Sequence, residues 1–353
     1  MVPYIRLRQN LPMKKIFFSA LISLLGIACT QPSEQKNSSA QNNCCDYFNV
    51  PDSVRQAGGV KMIIIDGKYQ VWTKRFGNGA IKVLLLHGGP GFTHEYMECF
   101  EQFFPQEGIE FYEYDQLGSF YSDQPTDSSL WTLDRFVEEV EQVRTALGLD
   151  STNFYLLGNS WGGLLAMEYA LKYQKNLKGL IVSNMIASIP RYEKYNNQLR
   201  SEMRKSLVDS LEIFEKKEDY SNPVYVDLVQ REYYNKHVCR LNPWPEPLTR
   251  SFSHLNSTIY VMMQGPSEFK TGGRLLHWDR WNDLHNITVP TLMIGAKYDT
   301  MNPDDMDAMS MLVQHGKYLY CPNGSHLAMW DDQEHYYPGV IKFLKDVQSG
   351  NFK

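Results

Sequence analysis

Gly158-Asn159-Ser160-Trp161-Gly162 decides how this chain is read. It stands between residues 154–157, a short apolar run of buried-strand character, and residues 162–173, an Ala- and Leu-rich stretch of helical character. A serine between two glycines at such a strand-to-helix turn has a specific physical meaning. The turn is so tight that side chains at both flanking positions would strike the neighbouring strand and helix. Its strained backbone lifts the Ser160 hydroxyl out of the sheet, and the helix N-terminus behind it favours a developing negative charge.

On either side of it, residues 81–86 form an apolar run, broken only by Lys82 and bounded by glycine, residues 110–114 predict the next strand, and residues 177–183 another. Residues 133–147 carry helical spacing with Thr132 as a cap. Residues 60–65 and 69–73 flank Asp66-Gly67, a hairpin signal. After Ser183 the rhythm stops. Residues 188–277 are charged, aromatic and helical, with few strand signals, before strands resume at 291–295 and 317–321 and a helix closes the chain over 336–347. Alternating strands and helices imply right-handed crossovers and a parallel sheet. The fold expected is therefore of the α/β class, an α/β-hydrolase fold: a doubly wound, mostly parallel sheet built from residues 51–187 and 278–353, with residues 188–277 inserted as a helical cap.

A lone serine hydroxyl is a poor nucleophile, and needs a base oriented by a carboxylate. In this fold the chain order is Ser, acid, His. Of nine histidines, His326 in Gly324-Ser325-His326 lies just past the last predicted strand, whereas His315 precedes that strand and His335 lies well beyond the loop. Asp299 follows the strand at 291–295, at the edge where functional groups gather in open α/β sheets. Asp304 and Asp305 follow Pro303 and read instead as a helix start. His87-Gly88-Gly89-Pro90-Gly91 follows the strand at 81–86, and its glycines let the backbone approach a substrate carbonyl. The oxyanion donors are expected at the Gly89 and Trp161 N–H groups, with Gly88 the neighbouring alternative.

The 353 residues carry 35 Lys and Arg against 40 Asp and Glu, a net charge of −5, which offers no basic surplus for nucleic acid. The six cysteines, Cys29, Cys44, Cys45, Cys99, Cys239 and Cys321, show no metal-ligand spacing, and Cys99 and Cys321 read as buried core thiols. Lys14-Lys15, the apolar run 16–28 and Cys29 read as a secretory leader, with Met13 a second candidate start. Residues 24–29 resemble a bacterial lipobox, in which Cys29 would be lipidated, although Gly26 stands where that pattern usually has Leu. Residues 1–29 are thus the expected leader and 30–50 a Ser-, Gln- and Asn-rich tether. The protein is expected in the bacterial cell envelope or periplasm, touching the membrane only through that anchor.

His87-Gly88-Gly89-Pro90-Gly91, Asp115-Gln116-Leu117-Gly118-Ser119, Gly158-Asn159-Ser160-Trp161-Gly162-Gly163 and Gly324-Ser325-His326 together resemble the proline iminopeptidase family of serine peptidases, over most of the chain from about residue 60. The resemblance implies release of an N-terminal residue, often proline, from short peptides or amino-acid amides, with no metal or other cofactor. Gly265-Pro266-Ser267-Glu268-Phe269 is similar to the cap segment that supplies an amine-binding glutamate in archaeal relatives, which points to Glu268. A carboxylate in a low-dielectric pocket holds a free α-amine by a charge-assisted hydrogen bond and disfavours blocked N-termini. Two positions depart from the family's pattern. Thr300 stands where those relatives carry a second glutamate, and Phe120 replaces a common glycine. The alternatives are an amidase or esterase of the same fold and, from another class, a lipid-anchored binding protein on an inactive scaffold.

Overall fold

Asp66 and Gly67 both have positive φ, 52° and 62°, the geometry of a tight hairpin turn. They join β1 (Ala57–Ile65) to β2 (Tyr69–Phe76) in antiparallel register. This computed structural model describes residues 55–268 and 270–353. The leader, Cys29, the tether at 30–50 and Cys44-Cys45 lie outside the described residues.

The chain continues through β3 (Ile81–Leu86), β4 (Ile109–Tyr114), α1 (Leu133–Ala146), β5 (Phe154–Asn159), α2 (Trp161–Tyr173) and β6 (Gly179–Ser183). The eight strands found among the described residues form one sheet in the order β1-β2-β4-β3-β5-β6-β7-β8, where β7 is Thr291–Ala296 and β8 is Gly316–Cys321. β2 pairs antiparallel with β4, and every pairing from β4 to β8 is parallel. Thr132 caps α1 by accepting from the Arg135 N–H.

β3, β5 and β6 are mainly apolar, with Lys82, Asn159 and Ser183 the exceptions, because helices cover both faces of the sheet. Leu84, Leu86, Leu156 and Val182 pack with α1 and α2 on one face. Val83, Leu85, Leu157 and Ile181 pack on the other with Tyr336, Val340 and Leu344 of the last helix (Gln333–Ser349). The thiols of Cys99, Cys239 and Cys321 are buried in this second layer.

Between β6 and β7 the chain builds α3 (Ile189–Ser201), α4 (Lys205–Glu215), α5 (Pro223–Val229), α6 (Glu246–Ser253) and α7 (Ser257–Met263). Ser188, Asn222 and Asn256 cap α3, α5 and α7, and Pro190 and Pro223 occupy first turns where no N–H is missed. Leu199, Leu211, Tyr225, Val229 and Tyr233 give these helices a small core of their own. α8 (Pro303–Leu312) follows β7, with Asp304 and Asp305 in its first turn and Asn302 as cap. The last helix is α9. Among the described residues no helix is long and apolar enough to cross a membrane.

The inserted helices close tightly onto the loops after β3 and β4. The Asn256 N–H donates to Gly91 O at 2.9 Å, and Asn256 Nδ2 donates to Gly118 O at 2.9 Å. At Gly118, whose φ is 89°, a Cβ would fall 2.2 Å from Ile259 Cδ1, and at Gly91 it would fall 2.9 Å from Asn256 O. These glycines are required by close approach as well as by backbone conformation. Arg250 of α6 pairs with Glu98 at 2.7 Å and Glu95 at 3.2 Å, and His254 pairs with Glu95 at 2.8 Å.

Candidate active site

The Ser160 backbone adopts φ 55° and ψ −128°, a conformation that costs a non-glycine residue about 1–3 kcal/mol and is typical of functional turns. The flanking glycines make it sterically attainable. A Cβ at Gly158 would sit 2.0 Å from Gly162 O, and one at Gly162 would sit 2.0 Å from Leu86 O on β3. Any side chain at either position would push α2 away from the sheet. Trp161 is the first residue of α2, so its N–H has no acceptor within the helix.

Asp299 and His326 meet across two loops. His326 Nδ1 lies 2.8 Å from Asp299 Oδ1, with both side chains almost wholly buried. The loop after β7 and the loop after β8 are laced together by the Tyr298 N–H to Gly324 O bond at 3.0 Å. Asp299 Oδ1 also accepts from the Met301 N–H at 3.1 Å, and Oδ2 accepts from Asn184 Nδ2 at 2.7 Å. Burial pulls the His326 pKa down, but the Asp299 charge and hydrogen bond outweigh it, and the imidazole is held above its ordinary 6.5. The loop carrying His326 is pinned to the cap: the His326 N–H donates to His237 O and the Leu327 N–H to Val238 O, each at 2.9 Å. The Ser325 N–H donates to Asp331 Oδ1 at 3.0 Å, and its hydroxyl lies between Asp331 Oδ2 and Val238 O.

Ser160 and His326 open onto one cavity of about 240 Å³, whose walls include Phe92, Tyr96, Tyr234, Phe252 and Glu268. A second, constricted space of about 10 Å³ meets it at Ser160 and Glu268, and is lined by Gly89, Trp161, Met185, Ile189 and Met301. The Gly88 N–H is already engaged, donating to Tyr96 Oη at 2.7 Å, which distinguishes it from its neighbour Gly89. Tyr96 Oη donates in turn to Asn159 Oδ1 at 3.0 Å.

The glycine-rich loop and the Asp115–Ser119 loop interlock. His87 is buried, and that burial holds its pKa below the ordinary value, so it is neutral. Its Nε2 accepts from the Gln116 N–H at 3.1 Å, which places the proton on Nδ1, 2.8 Å from Gly88 O. Gln116 Oε1 accepts from the Trp161 indole at 2.8 Å. One polar chain therefore runs from the loop after β3, through the loop after β4, to the residue following Ser160.

Glu268 sits within a ring of tyrosines. Tyr260 Oη donates to Oε1 at 2.5 Å, Tyr192 Oη donates to the Glu268 backbone O at 2.6 Å with Oε2 3.2 Å away, and the Glu268 N–H reaches Tyr234 Oη at 3.4 Å. Burial first, and the Glu268 carboxylate second, push the phenols of Tyr192, Tyr233, Tyr234 and Tyr260 upward, so they remain protonated donors. Tyr234 lines the cavity, as do Phe252 and Tyr260, whereas Trp281, just past the insertion, lies beneath the Arg191 guanidinium at 3.8 Å.

Residues 82–333 match the family described as alpha/beta hydrolase fold. The chain is 63% identical over 289 residues to a proline iminopeptidase of Elizabethkingia meningoseptica, covering 81% of this chain and 97% of that one. It is 63% identical over 283 residues to a proline iminopeptidase of Flavobacterium johnsoniae, covering 80% and 95%. The crystal structure of a Mycobacterium smegmatis proline iminopeptidase superposes with a TM-score of 0.76 at 27% identity, covering 83% of this chain and 99% of that one. The chain belongs to the proline iminopeptidase family of α/β hydrolases. It is a hydrolase.

Within this proline iminopeptidase fold the two departures noted in the sequence have physical roles. Thr300 is fully buried beside the acid, with Oγ1 3.4 Å from both Asp299 Oδ1 and His326 Nδ1, and its carbonyl accepts from Asn196 at 3.2 Å. Phe120 stacks on His254, with ring centroids 3.8 Å apart and planes 9° apart, and so ties the loop after β4 to the cap. Asn184, Tyr96, Tyr192 and Tyr260 went unnoticed in the sequence. The one signal for Asn184 is its place just past the C-terminal end of β6, the rim where functional groups collect.

Proposed function

We propose that this protein is a serine aminopeptidase that releases an N-terminal proline, or another small apolar residue, from short peptides or amides through an acyl-enzyme. The observation that carries it is the buried 2.8 Å Asp299–His326 pair opening onto the same cavity as the strained Ser160 turn. Ser160 Oγ attacks the carbonyl of the first residue, and His326 Nε2 takes the hydroxyl proton. Asp299 keeps the Nδ1 proton in place and stabilises the imidazolium. The Gly89 and Trp161 N–H groups face the developing oxyanion. His326 then returns the proton to the departing amine, and water repeats the cycle on the acyl-enzyme.

Glu268 binds the free amino group. Tyr260 keeps the carboxylate oriented, Tyr192 holds the backbone carbonyl of the same residue, and a substrate ammonium completes the charge balance. An acetylated N-terminus brings no charge and leaves the carboxylate unpaired. Turnover of proline anilide but not its acetylated form, abolished by Ser160→Ala, tests the reading. Equal turnover of free and acetylated substrates would leave only an amidase or esterase, and no labelling of Ser160 by a fluorophosphonate would remove the hydrolytic assignment of that residue.

Residues 14–29 support export with a lipid anchor at Cys29. Membrane-fraction protein that becomes soluble on Cys29→Ser, with loss of incorporated labelled fatty acid, is the expected result; unchanged fractionation would refute it.

A further inference from the structure

The two compartments that meet at Ser160 have different neighbours. His326 lines the large one, of about 240 Å³, while Gly89 and Trp161 line the constricted one, of about 10 Å³; Ser160 and Glu268 border both. That division has a stereochemical meaning. A carbonyl carbon under attack carries three other substituents: its oxygen, the leaving nitrogen and the α-carbon of the first residue. The oxygen must face the amide donors. The leaving nitrogen must come within hydrogen-bond reach of His326, because the imidazolium protonates it. Whatever is attached to that nitrogen therefore extends into the large compartment. The α-carbon and its amine lie on the other side, where Glu268 borders the constricted space. That space is at the threshold for one water, so the first residue enters only as Met185 and Met301, unbranched and adaptable, give way.

The walls of the large compartment beyond the reacting groups are mainly carbon. Phe92, Val238, Leu248, Phe252, Leu255 and Val261 come from the loop after β3 and from α6, α7 and the segments beside them. Phe92 packs edge-on against Phe252, with ring centroids 4.8 Å apart, and against Tyr260 at 6.2 Å. Among the residues lining this compartment, Glu268 and His326 are the ones that carry an acidic or basic side chain, and both belong to the reaction itself. A glycine or a charged side chain after the scissile bond gains nothing from these walls, whereas an aliphatic or aromatic one buries its surface there.

We infer that the large compartment is a subsite for the second residue of the substrate, selective for a bulky apolar side chain, so that the preferred substrates are short peptides in which the N-terminal residue is followed by a residue such as Leu or Phe. This rests on the aminopeptidase assignment and adds to it a preference on the leaving side of the bond.

The test holds proline first and varies the second residue: Pro-Gly-NH2, Pro-Leu-NH2, Pro-Phe-NH2 and Pro-Arg-NH2, with kcat/KM read for each on the full chain. Pro-Leu-NH2 and Pro-Phe-NH2 exceed Pro-Gly-NH2 by about tenfold or more, the scale on which apolar pockets discriminate. Leu255→Asp and, separately, Val261→Asp place a carboxylate on the partly exposed rim of the compartment. Each lowers the Leu-to-Gly ratio and raises the Arg-to-Leu ratio, a gain that a misfolded protein does not produce. Equal kcat/KM across the four amides, or ratios unmoved by both substitutions, overturns the subsite while leaving the aminopeptidase intact. No turnover of any of the four overturns the aminopeptidase and the subsite with it.

Discussion

Asn184 Nδ2 lies 2.7 Å from Asp299 Oδ2, so the carboxylate facing His326 is anchored from the end of a neighbouring strand. The other oxygen, Oδ1, is shared between His326 Nδ1 and the Met301 N–H. One side of the acid is thus fixed by the scaffold and the other presented to the imidazole. Asn184 itself has a φ of 54°, which an asparagine tolerates better than most residues.

Asn184→Ala leaves a buried carboxylate oxygen without its donor, a loss of about 1.5–3 kcal/mol for a hydrogen bond to a charged group. Since the group it positions acts on the reaction rather than on substrate binding, kcat falls by about tenfold or more while KM changes little. Steady-state kinetics on proline anilide measure this. A rise in KM with unchanged kcat would contradict the positioning role.

His326 is held above the ordinary imidazole value, and a protonated imidazole accepts no proton from Ser160. The kcat/KM profile therefore loses activity as pH falls through a pKa above 6.5. The contribution to folding runs the opposite way. A raised folded-state pKa stabilises the protein below the unfolded value, and that share is lost as pH rises through the folded one. Asp299→Asn removes the charge that raises the pKa, so the acid limb moves to lower pH and the plateau falls by roughly 10³–10⁴-fold. An acid limb unmoved by Asp299→Asn would assign it to another group.

Gly67 and Gly118 both have positive φ, but a Cβ at Gly67 meets nothing within 4 Å, whereas one at Gly118 lands 2.2 Å from Ile259 Cδ1. Gly67→Ala costs about 1–2 kcal/mol, the backbone penalty alone. Gly118→Ala costs that and a further 1–3 kcal/mol or so of overpacking where the cap meets the loop. Ile259→Ala, added to Gly118→Ala, recovers part of the loss. Denaturant unfolding of the variants provides the comparison, and equal destabilisation by the two glycine substitutions would show that the cap does not press on this loop.

Tyr260 Oη holds Glu268 Oε1 at 2.5 Å. Tyr260→Phe keeps the ring in the cavity wall and removes the donor, leaving the carboxylate free to turn from the substrate amine. Free-amine substrates lose about tenfold to 150-fold in kcat/KM, in line with about 1.5–3 kcal/mol for a hydrogen bond to a charged group. Glu268→Gln loses more, and its loss is confined to substrates with a free N-terminus. A uniform loss on free and acetylated substrates would point to disturbed packing instead.

The sheet, and the residues proposed for the reaction, were legible in the sequence. Apolar runs such as 154–157 are uninterrupted because helices cover both faces of the sheet, a local signal of a global arrangement. The glycines at 158 and 162 follow from one steric fact, the 2.0 Å approach each would force on a Cβ, and so were legible from spacing. Asp299 and His326 were readable because each follows a strand near the sheet's functional rim. The tertiary structure alone decided what holds them. Asn184 touches Asp299 across 115 positions, and Tyr192 reaches Glu268 across 76. Phe120, an anomaly in the sequence, became a stacking partner only once the cap brought His254 over it. Such contacts leave no periodicity, because they are set by how helices of the insertion come down on the loops. A pattern in sequence records which face of an element is dry, and does not record which side chain of a distant element will meet it there.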